Sequence, residues 1–157
     1  MIAGRRVPPW VMGSSALLVA IGLADAAYLT ITHFSEGVRL ACSDSGTIDC
    51  ARVTTSPQSY ILGIPVAVLG LVFFVVYAIL CAPPAWRSPA PPVRHARLVW
   101  AIGGVGTVVY LIYAELFEID AICLWCSLVH VVTVALFVVV VMGEALVEGA
   151  PSGAPAG

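Results

Sequence analysis

Four long apolar stretches constrain this chain more than any other feature of its sequence. Crossing the hydrocarbon core of a bilayer takes about 20 residues of α-helix, and backbone in lipid must satisfy its polar groups internally. Only 10% of the 157 residues are charged, whereas a soluble domain has about 25%. The sequence therefore predicts an all-α integral membrane protein, a four-transmembrane-helix bundle with spans at about Trp10–Phe34, Ile64–Ala82, Leu98–Leu116 and Ile122–Val141.

The bundle is expected to form a single domain, residues 1–147. The tail 148–157 is rich in Pro, Gly and Ala and is expected to be disordered. The first span also has features of a cleavable signal peptide, because Arg5-Arg6 precedes an apolar run that reaches Ala24-Asp25-Ala26. Apolar residues continue past that site to Ile31, so we expect the segment to be retained as a span.

The distribution of arginine predicts the orientation. With four spans, both termini and the middle loop share one side of the membrane. Cytoplasmic loops carry an excess of Lys and Arg, so this arginine-rich side should face the cytoplasm, in a multi-pass protein of the cell inner (plasma) membrane. The chain has a net charge of −2 and no basic run, so no nucleic-acid partner is expected. Five of the seven basic residues lie on the predicted cytoplasmic side: Arg5, Arg6, Arg87, Arg94 and Arg97.

A Cys-x-x-Cys motif, Cys123-Leu-Trp-Cys126, opens the last predicted helix on the outer face. The spacing i, i+3 puts both sulfur atoms on one helical face. A helix N-terminus stabilises thiolate, which is the reactive species in thiol–disulfide exchange. The motif by itself is also compatible with a static disulfide or with two packed thiols.

A second pair, Cys42 and Cys50, lies in the polar loop between the first two predicted spans, on the same outer face. We expect this loop to be flexible enough for its cysteines to approach the first pair. Two pairs on one face are what a disulfide relay requires. A zinc site is the alternative, but zinc sites use short C-x₂₋₄-C knuckles, which the seven residues between Cys42 and Cys50 do not match. We therefore expect no metal.

Several polar residues lie within the predicted spans. His130 could donate a hydrogen bond to the carbonyl oxygen of a bound ring, or it could simply pack within the bundle. Placing a carboxylate such as Asp25 near the centre of a span costs ~2.5–3.5 kcal/mol of insertion free energy. A role is therefore expected for it, either in relaying protons or in closing a structural hydrogen bond. Glu115 is expected at the membrane interface. The residues of the last helix that form a polar stripe below the sulfur atoms are Cys123, Cys126, Ser127, His130 and Thr133.

The order of these motifs resembles the bacterial members of the vitamin K epoxide reductase family. The resemblance covers nearly all of residues 10–142. It rests on Cys42…Cys50, Ser56-Pro57, Gly63-Ile64-Pro65 and Cys123-Leu-Trp-Cys126, with further similarity in Leu23-Ala-Asp-Ala-Ala-Tyr-Leu-Thr and Glu115-Leu-Phe.

The resemblance implies a fold, a four-helix bundle around a quinone with a short half-helix on the outer face. Ser56 and Pro57 suit the start of that half-helix, as N-cap and first helical residue. It also implies an activity, the quinone-linked oxidation of thiols. Cys42 and Cys50 would take electrons from a thioredoxin-fold protein outside the cytoplasm and pass them to Cys123 and Cys126.

By the same resemblance, Cys126 meets the quinone (ubiquinone or menaquinone, of vitamin K type), Ser56 hydrogen-bonds near it, and His130 lines the pocket. We include Asp25 among the residues expected near the cofactor. Two departures from the family pattern stand out. Many bacterial members carry a fused thioredoxin domain, which this sequence does not show, so the partner is expected to be a separate protein. Many also have Pro where this chain has Leu124, which would shift the redox poise of the pair.

Two other functions remain open from the sequence. One is reduction of vitamin K epoxide or quinone for cofactor recycling, as in animal members of the family. The other is a non-enzymatic membrane subunit in which both cysteine pairs are permanent disulfides. The sequence does not identify the quinone, the partner or the oligomeric state.

Overall fold

The computed structural model describes residues 7–35, 40–42 and 45–148. A 3₁₀-helix (Pro57–Ser59), a two-stranded antiparallel hairpin and a π-helix (Ala114–Ile119) interrupt the α-helices. The hairpin pairs β1 (Tyr60–Ile61) with β2 (Ile64–Pro65), so the fold is mostly but not purely α-helical. The predicted disordered tail lies outside the described residues, apart from residue 148. The α-helices are α1 (Pro9–Phe34), α2 (Cys50–Thr54), α3 (Val66–Leu80), α4 (Pro83–Arg87), α5 (Pro91–Tyr113) and α6 (Leu124–Glu148).

Among the described residues, three helical segments are long and apolar enough to cross a membrane, which supports a membrane protein. They are α1, the continuous segment Pro91–Ile119 and the segment Leu124–Val147. The prediction of a long second span, Ile64–Ala82, is wrong in its bounds, since α3 has only 15 residues. At 1.5 Å per residue it is about 22 Å long, shorter than the hydrocarbon core of ~30 Å. The difference arises because Ile64 and Pro65 pair with β1 in the hairpin instead of continuing the helix.

Proline fixes the start of α5, which corresponds to the third predicted span. Pro91 and Pro92 occupy its first turn, where a missing N–H costs nothing and the fixed φ is already helical. The predicted start at Leu98 is therefore too late by about two turns. As a consequence, Arg94 and Arg97 belong to α5 rather than to a loop.

The long helices pack closely through glycine. A Cβ atom placed on Gly22 of α1 would lie 2.2 Å from the Phe74 ring of α3, and one on Gly104 of α5 would lie 2.5 Å from the Phe73 ring. Small residues at helix contacts let helices approach in lipid, where burial of apolar surface does not drive association. The two phenylalanines of α3 thus hold it between α1 and α5.

A buried ionic cluster holds the end of the bundle that contains α4, which we call the arginine end. The Arg97 guanidinium is fully buried, and its Nη1 atom hydrogen-bonds the Glu144 carboxylate of α6. Its Nε atom donates to the Leu80 carbonyl oxygen at 2.9 Å, and its Cζ atom lies 3.7 Å from the centre of the Trp86 ring. Arg97 thereby joins α3, α4, α5 and α6. The loop arginine expected from the sequence is in fact a structural core residue.

We expect Arg97→Met to lower the free energy of unfolding by ~3–5 kcal/mol, because it leaves the buried Glu144 carboxylate without its principal cation. The double variant R97M/E144L should lose less, since it removes both charges. Unfolding in detergent micelles measures both, with Arg87→Met, an exposed arginine of α4, as the matched control. A double variant that is less stable than R97M would contradict this role of the ion pair.

Candidate functional site

The Cys-x-x-Cys motif lies at the start of α6, as the sequence predicts, at what we call the cysteine end of the bundle. Cys123 immediately precedes the helix, and its Sγ atom accepts a hydrogen bond from the Cys126 backbone N–H at 3.2 Å. Its carbonyl oxygen accepts hydrogen bonds from the backbone N–H and the Oγ atom of Ser127, at 2.9 and 3.0 Å. The sulfur atom of Cys123 thus takes the place of an N-cap side-chain oxygen.

This position favours the thiolate of Cys123, which lies just outside the spanning segment of α6. A hydrogen bond from the Cys126 thiol lowers the pKa of the Cys123 thiol. Burial opposes this shift, and the Cys126 backbone N–H adds to it. Because thiolate is the species that attacks and leaves in disulfide exchange, Cys123 is prepared for exchange with a second pair.

Cys42 and Cys50 form that second pair, and they are joined by a disulfide with a Cα–Cα distance of 6.2 Å. Cys50 opens α2, where Asp49 caps the helix by accepting a hydrogen bond from the Arg52 N–H at 2.8 Å. Cys50 is fully buried and Cys42 is partly exposed. Cys50 and Cys123 belong to the same buried cluster, and Cys42 and Cys126 pack against it.

The loop that carries this disulfide is docked against the chain just before Cys123. The Ile122 N–H donates to the Thr47 carbonyl oxygen at 2.8 Å, and the Asp49 N–H donates to the Ile122 carbonyl oxygen at 3.1 Å. Ile48 and Ile122 therefore form a parallel β-bridge. We expected a loop flexible enough to swing, whereas its described residues 45–50 are held by backbone hydrogen bonds.

A second contact holds the segment before Cys42. The Ala41 N–H donates to the Tyr28 hydroxyl oxygen at 2.9 Å, and the Ala41 carbonyl oxygen accepts from Trp125 Nε1 at 3.0 Å. The Tyr28 and Trp125 rings also contact each other, with centroids 4.7 Å apart. Tyr28 lies in the segment Leu23-Ala-Asp-Ala-Ala-Tyr-Leu-Thr that resembles the family, and Trp125 lies inside the Cys-x-x-Cys motif, but neither motif predicted a contact with the loop.

A cavity of about 1200 Å³ extends from the cysteine end into the bundle, between α1, α3, α5 and α6. Small-molecule sites are usually concave, mostly apolar and furnished with a few polar groups. The cavity has this composition, with Phe73, Phe74 and Trp100 in its deeper part. The polar or reactive residues that line its upper part include Cys42, Cys50, Ser56, Glu115, Cys126 and His130.

Ser56 lies in the cavity wall, but its side chain does not cap the helix that follows. Ser56 and Pro57 occupy the expected N-cap and first positions of the 3₁₀-helix. The Ser56 Oγ atom, however, donates to the Val53 carbonyl oxygen at 2.8 Å. The expected side-chain cap is therefore wrong, since the Ser56 hydroxyl is directed back to the end of α2 and accepts no N–H of the 3₁₀-helix.

The two polar residues expected inside the spans are placed differently. His130 is buried one turn below Cys126 and lines the cavity. Asp25 is buried in α1, and neither of its carboxylate oxygens has a hydrogen-bond partner among the described residues. Asp25 does not line the cavity, whereas its neighbour Ala26 does. The structure thus brings His130 to the cavity but not Asp25.

Glu115, expected near the membrane interface, is buried in the protein and lines the cavity. Its carboxyl group interacts with the backbone N–H of Cys123. The π-helix Ala114–Ile119 and the left-handed Asp120, with a φ of 52°, turn this segment back toward α6. π-helical turns are frequent at functional sites, but a sequence pattern of period 3.6 does not reveal them.

Within the part of the chain that the structure describes, no cluster of three or more His, Cys, Asp or Glu side chains could hold a metal ion. What the site does bring together is one disulfide and one dithiol, both at the mouth of an apolar cavity. Such an arrangement can pass electron pairs between sulfur atoms by thiol–disulfide exchange.

The fold and the site together define a helical membrane protein of the oxidoreductase class, built around two cysteine pairs. A comparison with known families identifies it further. The model of the vitamin K epoxide reductase family matches residues 14–141, which is most of the chain. The protein belongs to the vitamin K epoxide reductase family, and its resemblance to that family is confirmed.

The hydrogen bond between the two thiols predicts a pH effect. Cys126→Ala removes the donor, so the pKa of the Cys123 thiol should rise, and its reaction with methyl methanethiosulfonate should become half-maximal at higher pH. Cys126→Ser keeps a hydroxyl donor and should shift the profile less. The measurement is mass spectrometry of chains in which Cys42, Cys50 and Cys81 are Ala. Superimposable profiles of the two variants would show that the Cys126 side chain does not stabilise the Cys123 thiolate.

Proposed function

We propose that the protein is a quinone-linked thiol oxidoreductase that reoxidises a separate thioredoxin-fold protein outside the cytoplasm. Electrons would pass from the partner to Cys42 and Cys50, then to Cys123 and Cys126, and finally to a membrane quinone. The observation that carries this proposal is the placement of both cysteine pairs at the mouth of one large apolar cavity.

Burial supports an order for the relay. Cys42 is partly exposed, so it is the cysteine that a partner protein can attack. Cys50 is fully buried in the same cluster as Cys123, so it is the cysteine that can exchange with the helix pair. The partner's dithiol becomes a disulfide while Cys42 and Cys50 become thiols. Those thiols then reduce the Cys123–Cys126 disulfide and re-form their own.

The cavity fits a quinone ring and the start of its isoprenoid tail. Its volume of about 1200 Å³ is somewhat above the usual range of about 300–1,000 Å³ for small-molecule sites, and its wall is mainly apolar. Cys126, Ser56 and His130 would hold the ring at the cysteine end. A bound ubiquinone or menaquinone would accept two electrons and two protons when the Cys123–Cys126 dithiol becomes a disulfide.

His130 would act as a hydrogen-bond donor to a ring oxygen. It lies on the cavity side of α6, four residues after Cys126, and so about 6 Å deeper along the helix axis. A donor fixed there stabilises negative charge as it develops on an oxygen atom. Imidazole can also transfer a proton near neutral pH. Asp25, set back from the cavity wall, would influence Cys126 only through its charge.

The membrane arrangement completes the proposal. α3 would form the fourth crossing with the help of the hairpin residues that precede it and the turn that follows it. The cysteine end would then face outward, and the arginine end, with Arg87 and Arg94, would face the cytoplasm of the inner (plasma) membrane. Both termini would be cytoplasmic.

Reduction of vitamin K epoxide or quinone for cofactor recycling is the second candidate. It is favoured by the family to which the chain belongs, and it would use the same dithiol, Cys123 and Cys126. The two candidates differ in their acceptor. An epoxide reductase consumes vitamin K epoxide with a dithiol as donor, whereas a quinone-linked oxidase leaves the epoxide unchanged and reduces the quinone.

The full chain, purified in detergent, tests the relay. With a reduced periplasmic thioredoxin-fold oxidase as donor and a short-chain ubiquinone as acceptor, we expect the quinone absorbance to fall as the donor is oxidised. Cys42→Ala and Cys126→Ala should each lower the rate by several orders of magnitude, because each removes a reacting sulfur atom. Cys81→Ala is the matched control, since Cys81 is buried beside the arginine end.

Mass spectrometry of the Cys126→Ala variant gives a second readout. Without the Cys126 thiol to displace it, a disulfide between Cys50 and Cys123 should accumulate. Finding only the Cys42–Cys50 disulfide would contradict the relay order. Equal activity of the Cys42→Ala variant and the unchanged chain would contradict the relay itself.

His130→Ala should slow quinone reduction by roughly one to three orders of magnitude, as expected for the loss of one donor to a developing negative charge. His130→Gln keeps an N–H donor and should lose less. Exchange between the thioredoxin-fold protein and Cys42 should stay unchanged, because it takes place at the partly exposed loop disulfide and does not involve the quinone. Stopped-flow absorbance of a pre-reduced protein isolates the quinone step, and an unchanged rate would leave His130 with a packing role only.

A further inference from the structure

We infer that Tyr28 and Trp125 are positioning residues that hold Cys42 against Cys50, so that the Cys42–Cys50 disulfide re-forms after each transfer. This inference rests on the proposed relay and adds two residues to it. Neither aromatic residue carries electrons or touches the cavity wall.

The two residues bind both polar groups of one peptide unit. From α1, the Tyr28 hydroxyl oxygen accepts the Ala41 N–H at 2.9 Å, and from α6, Trp125 Nε1 donates to the Ala41 carbonyl oxygen at 3.0 Å. The contact between the two rings, at 4.7 Å, fixes their relative positions. Ala41 immediately precedes Cys42, so this clamp fixes the backbone that carries the outer cysteine.

Satisfaction of buried polar groups does not require the clamp. Ala41 is exposed, so water could satisfy its N–H and carbonyl groups at little cost. The clamp instead restrains the backbone at Ala41, because it binds this residue to both α1 and α6. Between the two cysteines, the backbone of Ile122 binds Thr47 and Asp49. The chain is therefore held just before Cys42 and again just before Cys50.

Restraint matters at one step of the exchange. The Cys50 thiolate attacks Cys123 Sγ, forming a Cys50–Cys123 disulfide and releasing Cys126 as a thiolate that takes up a proton. Cys42 then loses its proton and attacks Cys50 Sγ, re-forming Cys42–Cys50 and releasing Cys123. This second attack is intramolecular, so its rate and equilibrium depend on how often the Cys42 sulfur atom lies beside Cys50.

The equilibrium between the Cys42–Cys50 disulfide and a glutathione redox buffer measures this effective concentration directly. The full chain is used with Cys81, Cys123 and Cys126 changed to Ala, so that only the loop pair reacts. We expect Tyr28→Phe and Trp125→Phe each to lower the equilibrium constant for disulfide formation by about two- to tenfold, the contribution of one hydrogen bond. The double substitution should lower it further.

Matched controls are Tyr113→Phe and Trp10→Phe, which make the same chemical changes at exposed side chains. Thermal unfolding is followed in parallel, because a merely structural role would lower the melting temperature without changing the equilibrium constant. In the chain with only Cys81 replaced, Tyr28→Phe should raise the fraction of the Cys50–Cys123 disulfide during turnover.

Equilibrium constants equal to those of the controls would overturn the clamp. This outcome can be told apart from failure of the relay, since the glutathione equilibrium needs neither quinone nor a partner protein. A chain that reduces no quinone but shows the expected shifts would keep the clamp and lose the proposed function.

Discussion

The backbone of Ile122 is the point on which the cysteine end of the molecule depends. Its N–H and carbonyl groups are both bound to the loop that carries Cys42 and Cys50, and the next residue in the chain is Cys123. Two hydrogen bonds therefore fix the distance between a loop disulfide and a helix dithiol that are far apart in sequence. The same bonds satisfy both backbone polar groups of Ile122 and place the two cysteine pairs together.

At the arginine end, the contacts hold the helices of the bundle together. Helices in lipid gain little from burial of apolar surface, so they associate through close packing and polar contacts. Gly22 lets Phe74 of α3 approach α1, and Arg97 ties four helices through Glu144, Trp86 and a backbone carbonyl. These contacts join the helices at the arginine end, whereas the cavity lies toward the cysteine end, where polar and reactive side chains collect.

Much of this could be predicted from the sequence. Long apolar runs with few charges predict the approximate positions of α1, α5 and α6, whereas the predicted second span corresponds to the shorter α3. The paired spacing of the cysteines points to the candidate redox residues. The errors fall where a local feature competes with hydropathy. Ile64 and Pro65 are apolar yet pair in a hairpin, and Pro91 starts a helix well before the apolar run begins. Arg97, counted as a loop charge, is buried because Glu144, far along the chain, meets it.

The sequence by itself determined which side chains can carry chemistry: Cys42, Cys50, Cys123, Cys126 and His130 lie where their spacing and order suggest. Only the tertiary structure decided how they are held. Contacts between segments that are distant in sequence position Tyr28, Trp125 and Glu115. The orientation of α1 presents Ala26, and not Asp25, to the cavity. The physical reason is that hydropathy and spacing are local properties of the chain. The hydrogen bond from Trp125 of α6 to Ala41 joins residues more than 80 positions apart, so it is not a local property and the sequence pattern does not reveal it.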